Sequence, residues 1–146
     1  MTRHLGQQWL LPALDPSNRE WFTAGRLRVQ RCDACGAHQH PPEEVCGSCQ
    51  SHALSFRDAG ATGRVESVAV VHHPVHPALQ DHVPYAVAVV SLDDAPGAHA
   101  IGNVVGCDPH AVEIGEAVRV VFEVVEDGEA GETLRIPQWE RLREGA

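Results

Sequence analysis

Cys32-Asp33-Ala34-Cys35, ten residues, then Cys46-Gly47-Ser48-Cys49: this stretch decides how the chain is read. Each C-x2-C pair turns two thiols toward one point, and two such pairs a hairpin apart supply four sulfur ligands for a tetrahedral ion. Backbone N–H groups in knuckles of this kind soften the negative charge that collects on the sulfurs. Zinc is the expected ion, although rubredoxin-like sites with the same ligands also hold iron, so spacing alone leaves iron open. Two disulfides are the alternative, and they are disfavoured by the metal-knuckle spacing of both pairs and by the expected reducing compartment. Four thiolates leave no position for water or substrate, so the ion is expected to stabilise the fold and not to catalyse. Such binding supplies on the order of 10–16 kcal/mol of apparent free energy, enough to order a hairpin with almost no core. Gly36 and Gly47 sit where the tight turns are expected to need positive φ. His38 and His40 lie between the knuckles, but four sulfurs already complete the shell.

On the N-terminal side, residues from Asp15 to Gly25 carry helix punctuation. Asp15 precedes Pro16, Ser17 stands three residues before Glu20 as a capping box, and Gly25 is placed as a left-handed stop. Leu14, Trp21 and Phe22 give this short helix an apolar side, which packs either on the rest of the chain or on a partner protein. Trp21 and Phe22 are therefore the candidate partner-binding residues. The opening MTRHLGQQWLLPAL has too short an apolar patch for a secretory leader, and no run approaches the roughly 18–20 apolar residues of a membrane helix. The expectation is a cytoplasmic protein with no membrane partner.

On the C-terminal side, five β-rich runs follow in about 75 residues: Val65 to His72, Pro84 to Leu92, Ala98 to Val105, Ala117 to Val125 and Glu132 to Ile136. Turn chemistry separates them, including Asp93-Asp94-Ala95-Pro96-Gly97, Gly106-Cys107-Asp108-Pro109 and Asp127-Gly128-Glu129. Five short strands favour closure, because a flat sheet of this size exposes long edges, and an OB-type barrel is the expected form. The tail WERLREGA reads as a frayed helical turn. The fold class is thus mainly β: an N-terminal helical segment (residues 1–29), a rubredoxin-like zinc ribbon (30–60), a five-stranded OB-fold barrel (61–137) and a C-terminal tail (138–146).

Charge narrows the function. All 11 basic residues are arginine, and the net charge is −9. Seven arginines face six acids up to Arg64, whereas four face fourteen from Val65 onward. An acidic barrel repels phosphates, which argues against the single-stranded nucleic-acid binding that ribbons and OB barrels otherwise support. That role also needs exposed aromatics, and after Val65 the chain has only Tyr85, Phe122 and Trp139.

No catalytic constellation is recognisable. His72, His73 and His76 fall within five residues with Asp81 nearby, but Pro74 and Pro77 break any helix that would align them. A loop at a barrel mouth is the expected reading, with a second metal site or a self-sufficient active site as lesser alternatives. Cys107 sits in a turn with no adjacent base and is expected to be an inert thiol.

Taken in order, Trp21-Phe22, Gly25-Arg26-Leu27, Cys32-x-x-Cys35-Gly36, Pro41-Pro42, Cys46-x-x-Cys49, Gly63-x-Val65, Val71-His72-His73-Pro74, Val83-Pro84-Tyr85, Gly102-Asn103-Val104-Val105-Gly106 and Ile114-Gly115-x-x-Val118 form a larger pattern. The chain resembles the zinc-ribbon plus OB-fold proteins of acyl-CoA metabolism that accompany thiolase-like enzymes or MaoC-type hydratases. It is also similar to the OB-fold part of steroid side-chain-degrading complexes, in which a thiolase-like aldolase is the partner. The resemblance implies a non-catalytic subunit that completes such an enzyme and contacts acyl-CoA. It carries the four metal ligands onto Cys32, Cys35, Cys46 and Cys49, and it carries over no catalytic residue. Any CoA contact is expected from the arginine-bearing half, at Arg26, Arg28 or Arg31.

Overall fold

The computed structural model describes residues 10–126 and 131–142. A single short helix, α1 (Arg19–Thr23), leads into a three-stranded antiparallel sheet of β1 (Arg28–Cys32), β2 (His38–Gln39) and β3 (Leu54–Asp58), in the order β2-β1-β3. The remaining strands are β4 (Thr62–Val71), β5 (Tyr85–Leu92), β6 (His99–Val104), β7 (Ala117–Val125) and β8 (Leu134–Arg141). They close into a barrel in the order β4-β5-β6-β8-β7. All neighbours pair antiparallel except β6 and β8, which meet in parallel at Val104 and Trp139. Short 3₁₀ turns, Pro77–His82 and Pro109–Ala111, lie in the β4–β5 and β6–β7 connections. The expected mainly-β architecture of small helix, ribbon and five-stranded barrel is what the chain adopts.

Strict alternation builds the barrel wall. Ala86, Ala88, Val90 and Leu92 of β5 point into the core while the residues between them are half-buried, the period-2 signature of a strand with one buried face. The small alanines leave room for Trp139, which is 0% exposed. Gly102 completes that fit, since a Cβ there would lie 3.0 Å from the Trp139 indole nitrogen. Gly63 is needed for a different close approach: a Cβ would come within 2.5 Å of the Ser91 carbonyl oxygen on the neighbouring strand. One core runs through both modules, joining Trp21, Leu27 and Val29 to the barrel interior. A smaller cluster of Val125, Leu134 and Ile136 is covered by Leu14 and Phe22.

Two expectations are corrected. The last strand does not end at Ile136: β8 runs on through Pro137 to Arg141, pairing along β7 from Val125↔Leu134 to Val118↔Arg141. Trp139 is therefore central core and not part of a frayed helical tail. Four consecutive buried residues, Ile136 to Trp139, hide the alternation that would have marked a strand. They are buried on both faces, by the barrel interior on one side and by the smaller cluster or strand-to-strand contacts on the other. Residues 143–146 and the Asp127-Gly128-Glu129 turn lie outside the described residues.

The second correction concerns the helix, which has five residues and no Ser17 capping box. Asn18 is the N-cap and makes no side-chain cap bond, while Asp15 braces the preceding turn, its Oδ1 accepting from the backbone N–H of Ser17 at 2.8 Å and of Asn18 at 2.9 Å. Glu20 turns away to Arg28 at 3.1 Å. Gly25 does adopt the left-handed conformation expected after the helix, with φ +71°.

Of the two readings of the helix's apolar side, packing on the rest of the chain is the one Trp21 adopts. Trp21 is 7% exposed and belongs to the main core, and Phe22 packs against both clusters. An aromatic seven residues before β1 is drawn inward because the ribbon has little apolar material of its own to cover Leu27 and Val29.

Candidate metal centre

The two cysteine knuckles are built alike. In the first, the Cys32 N–H donates to the Ala37 carbonyl and the Gly36 N–H donates to the Cys32 carbonyl, both at 2.8 Å. In the second, the Cys46 N–H donates to Ser51 and the Gln50 N–H to Cys46, both at 2.9 Å. The left-handed residue thus falls four positions after the first cysteine of each pair, at Gly36 (φ +80°) and Gln50 (φ +63°). The expectation of positive φ at Gly36 holds. At Gly47 it does not, because the second turn places that conformation on Gln50.

The four sulfurs of Cys32, Cys35, Cys46 and Cys49 lie within 4.8 Å of one another, and they form the one cluster of three or more metal-ligating side chains among the described residues. Cys32 and Cys49 Sγ are 3.6 Å apart, as are Cys35 and Cys46 Sγ. Sulfurs bound at about 2.3 Å in a tetrahedron stand about 3.8 Å apart, so the arrangement fits zinc. Donors face the sulfurs: the Cys35 N–H reaches Cys32 Sγ at 3.5 Å and the Ser48 N–H reaches Cys46 Sγ at 3.3 Å. Backbone N–H groups, Cys49's foremost and Ser48's next, draw the Cys46 thiol from 9.0 down to about 6. The Cys35 N–H is the leading cause of a downward shift at Cys32. Cys49 goes the other way, since the Ser51 N–H lowers it but the neighbouring sulfurs and burial outweigh that and push it up to about 12; the thiolate, the form that binds metal, is thus favoured at Cys32 and Cys46.

Two glutamines hold the second knuckle in place, and sequence reading had passed over both. Gln30, 8% exposed in β1, donates to the Glu43 carbonyl and accepts from the Glu43 N–H and from Gln39 Nε2, each at 2.9 Å. Gln39 Nε2 also donates to the Val45 carbonyl at 3.1 Å, and its Oε1 accepts from the Gly47 N–H at 3.0 Å. The loop entering Cys46 is thereby bonded to the hairpin that carries Cys32. A glutamine in a short polar strand gives no signal of this role.

The remaining candidates are placed apart from the sulfurs. His40 lies against Trp21, ring centroids 4.0 Å apart, its Nδ1 buried without a hydrogen-bond partner. Burial lowers its pKa from 6.5 to about 4, so it stays neutral. Cys107 lines a cavity of about 390 Å³ with Arg119, Glu140 and Arg141, and burial pushes its thiol up, as suits an inert group. His72, His73, His76 and Asp81 do not converge. His76 Nδ1 accepts from the Ala78 N–H at 3.1 Å to cap the Pro77–His82 turn, while His72 faces His110. Of the arginines proposed to meet CoA, Arg28 is held by Glu20 at 3.1 Å and Asp58 at 2.9 Å, and Arg26 reaches Asp58 at 3.4 Å. No helix among the described residues is long and apolar enough to cross a membrane.

The chain is similar in sequence and fold to known proteins. Residues 23–55 match the family described as ChsH2, rubredoxin-like zinc ribbon domain, and residues 56–123 match ChsH2, C-terminal OB-fold domain. A "DUF35 domain-containing scaffold protein" of Methanothermobacter thermautotrophicus is 35% identical over 72% of this chain and 78% of its own length. The chain belongs to the DUF35 family. A second DUF35 scaffold protein, from Methanocaldococcus jannaschii, is 34% identical over 69% of this chain and 71% of its own length. A "Probable enoyl-CoA hydratase alpha subunit" of Thermomonospora curvata is 42% identical over 73% of this chain, which spans only 33% of that relative's length. Among solved structures, a chain of the "Ltp2-ChsH2(DUF35) aldolase" superposes with TM-score 0.69 at 36% identity, covering 90% of this DUF35 chain and 98% of that one.

Proposed function

We propose that this DUF35 chain is a non-catalytic accessory subunit that binds and completes a thiolase-superfamily acyl-CoA enzyme, most specifically a retro-aldolase of steroid side-chain degradation. Cys32, Cys35, Cys46 and Cys49 hold one zinc ion that fixes the ribbon. The observation that carries the reading is the likeness to the Ltp2-ChsH2(DUF35) aldolase, which extends over 98% of the matched chain at 36% identity. The scaffold designation of the two archaeal relatives points the same way.

The chemistry of the side chains supports an accessory role. The thiolate cluster has no open coordination position, His40 is largely buried and neutral, and the Cys107 thiol is pushed up by burial. None of these is a poised nucleophile with an adjacent base. The nucleic-acid alternative is weakened further by Trp139, which is wholly inside the barrel and presents no face to a base.

A second reading, a subunit of a MaoC-like acyl-CoA hydratase system, is favoured by the Thermomonospora curvata relative. One experiment separates the two. The chain is co-expressed with a thiolase-like and with a hydratase-like protein of its own organism, and the mixture is resolved by size-exclusion chromatography. Co-elution with the thiolase-like protein supports the first reading, and co-elution with the hydratase-like protein alone replaces it with the second. Elution of the chain without either rejects both.

A further inference from the structure

At one end of the barrel two connections meet through their histidines. His72 follows directly on β4, whose last residue, Val71, is paired with Tyr85 of β5. His110 belongs to the Pro109–Ala111 turn, where Asp108 caps the turn by accepting from the His110 N–H at 2.9 Å. Both imidazoles therefore stand on braced backbone. Their Nε2 atoms are 3.2 Å apart, with ring centroids at 4.9 Å and a tilt of 36°.

The 3.2 Å contact is a hydrogen bond when one Nε2 carries its proton; it is also close to the about 3.3 Å that separates two imidazole nitrogens bound at about 2.0–2.1 Å to one tetrahedral ion. Behind His110, Asp108 Oδ1 lies 3.4 Å from Nδ1. A carboxylate beside the far nitrogen of a ligating imidazole helps to orient the ring, the arrangement found behind metal-binding histidines generally. The pair is exposed, which leaves room for water in the remaining coordination positions.

We propose that His72 and His110 form a two-imidazole site for a borderline divalent transition-metal ion, zinc above all, which clasps the β4–β5 connection to the β6–β7 connection. This site is separate from the four cysteines and does not rest on the accessory-subunit reading. Imidazole nitrogen suits zinc, nickel and copper and discriminates against magnesium and calcium. The sequence suggested a cluster of His72, His73 and His76. The fold instead pairs the first of these with a histidine 38 positions further on and uses the third as a turn cap.

The test uses the full chain with its ribbon already loaded with zinc, at pH 7.5. Zinc chloride is titrated calorimetrically into the wild type and into His72→Ala, His110→Ala and His73→Ala, with elemental analysis beforehand showing one retained equivalent in each. The proposal predicts a second equivalent bound in the micromolar range. It predicts at least about tenfold weaker binding in both His72→Ala and His110→Ala and no change in His73→Ala. No second equivalent in the wild type up to millimolar zinc would overturn it. So would undiminished binding in either His72→Ala or His110→Ala, or an equal loss in His73→Ala, which would mark diffuse binding by the histidine-rich loop.

Discussion

Replacing His40 by phenylalanine should remove a pH dependence of stability that the fold imposes on this one ring. His40 is largely buried against Trp21, and burial lowers its pKa from 6.5 to about 4. A histidine depressed in the folded state binds protons more readily when unfolded. Its contribution is therefore fully present above pH 6.5, declines as the pH falls through 6.5, and is lost by about pH 4. The gap between 6.5 and about 4, at about 1.36 kcal/mol per pKa unit, amounts to about 3 kcal/mol in all, of which about 2 kcal/mol falls between pH 7 and pH 5. Phenylalanine keeps a ring against Trp21, removes the buried Nδ1 that lacks a partner, and does not titrate. Urea unfolding of the zinc-loaded wild type and His40→Phe, at pH 7, 6 and 5 with excess zinc, compares the two. Every other titrating group, the thiolates included, is common to both proteins and cancels in the difference. The variant should match or exceed the wild type at pH 7 and gain about 2 kcal/mol on it by pH 5. Stability curves that run parallel from pH 7 to pH 5 would refute the reasoning, showing that His40 is hydrated and titrates normally.

Three further outcomes are expected. Elemental analysis should find one tightly held zinc per chain, lost in Cys35→Ser and retained in Cys107→Ser, since only the former thiol lies in the sulfur cluster. Trp21→Ala should cost about 3–5 kcal/mol in chemical denaturation, the range for emptying a large aromatic site in a core; a cost below about 1 kcal/mol would return Trp21 to the surface. Fluorescence anisotropy with single-stranded DNA near physiological salt should detect negligible binding, because four arginines face fourteen acids from Val65 onward, whereas submicromolar, salt-sensitive binding would contradict it.

The ribbon and most of the barrel were legible because they are written in local rules. The cysteine spacing places four thiols together, and the alternation in β5 assigns each side chain to a face. What was not legible depends on contacts far apart in sequence. Trp139 follows a proline and lies in a run buried on both faces, so neither strand propensity nor alternation flags it, and only its seat against Gly102 explains it. The bonds from Gln30 and Gln39 and the pairing of His72 with His110 are likewise tertiary facts. Gln50 adopts the left-handed conformation in place of Gly47 because the knuckle's hydrogen bonds fix which position must bend, whatever residue stands there.

The central claim is that activity arises only when this chain joins a thiolase-like partner. Its most direct test is the acyl-CoA turnover of the isolated zinc-loaded chain, of a thiolase-like protein of its own organism, and of the two together, with retro-aldol cleavage of a steroid side-chain acyl-CoA as the assay. The account predicts no turnover by this chain, little by the partner, and a gain of at least about tenfold in the mixture, equivalent to about 1.4 kcal/mol of barrier. Turnover by the isolated chain at the rate of the mixture would contradict it, as would a partner whose rate is unchanged when the chain is added.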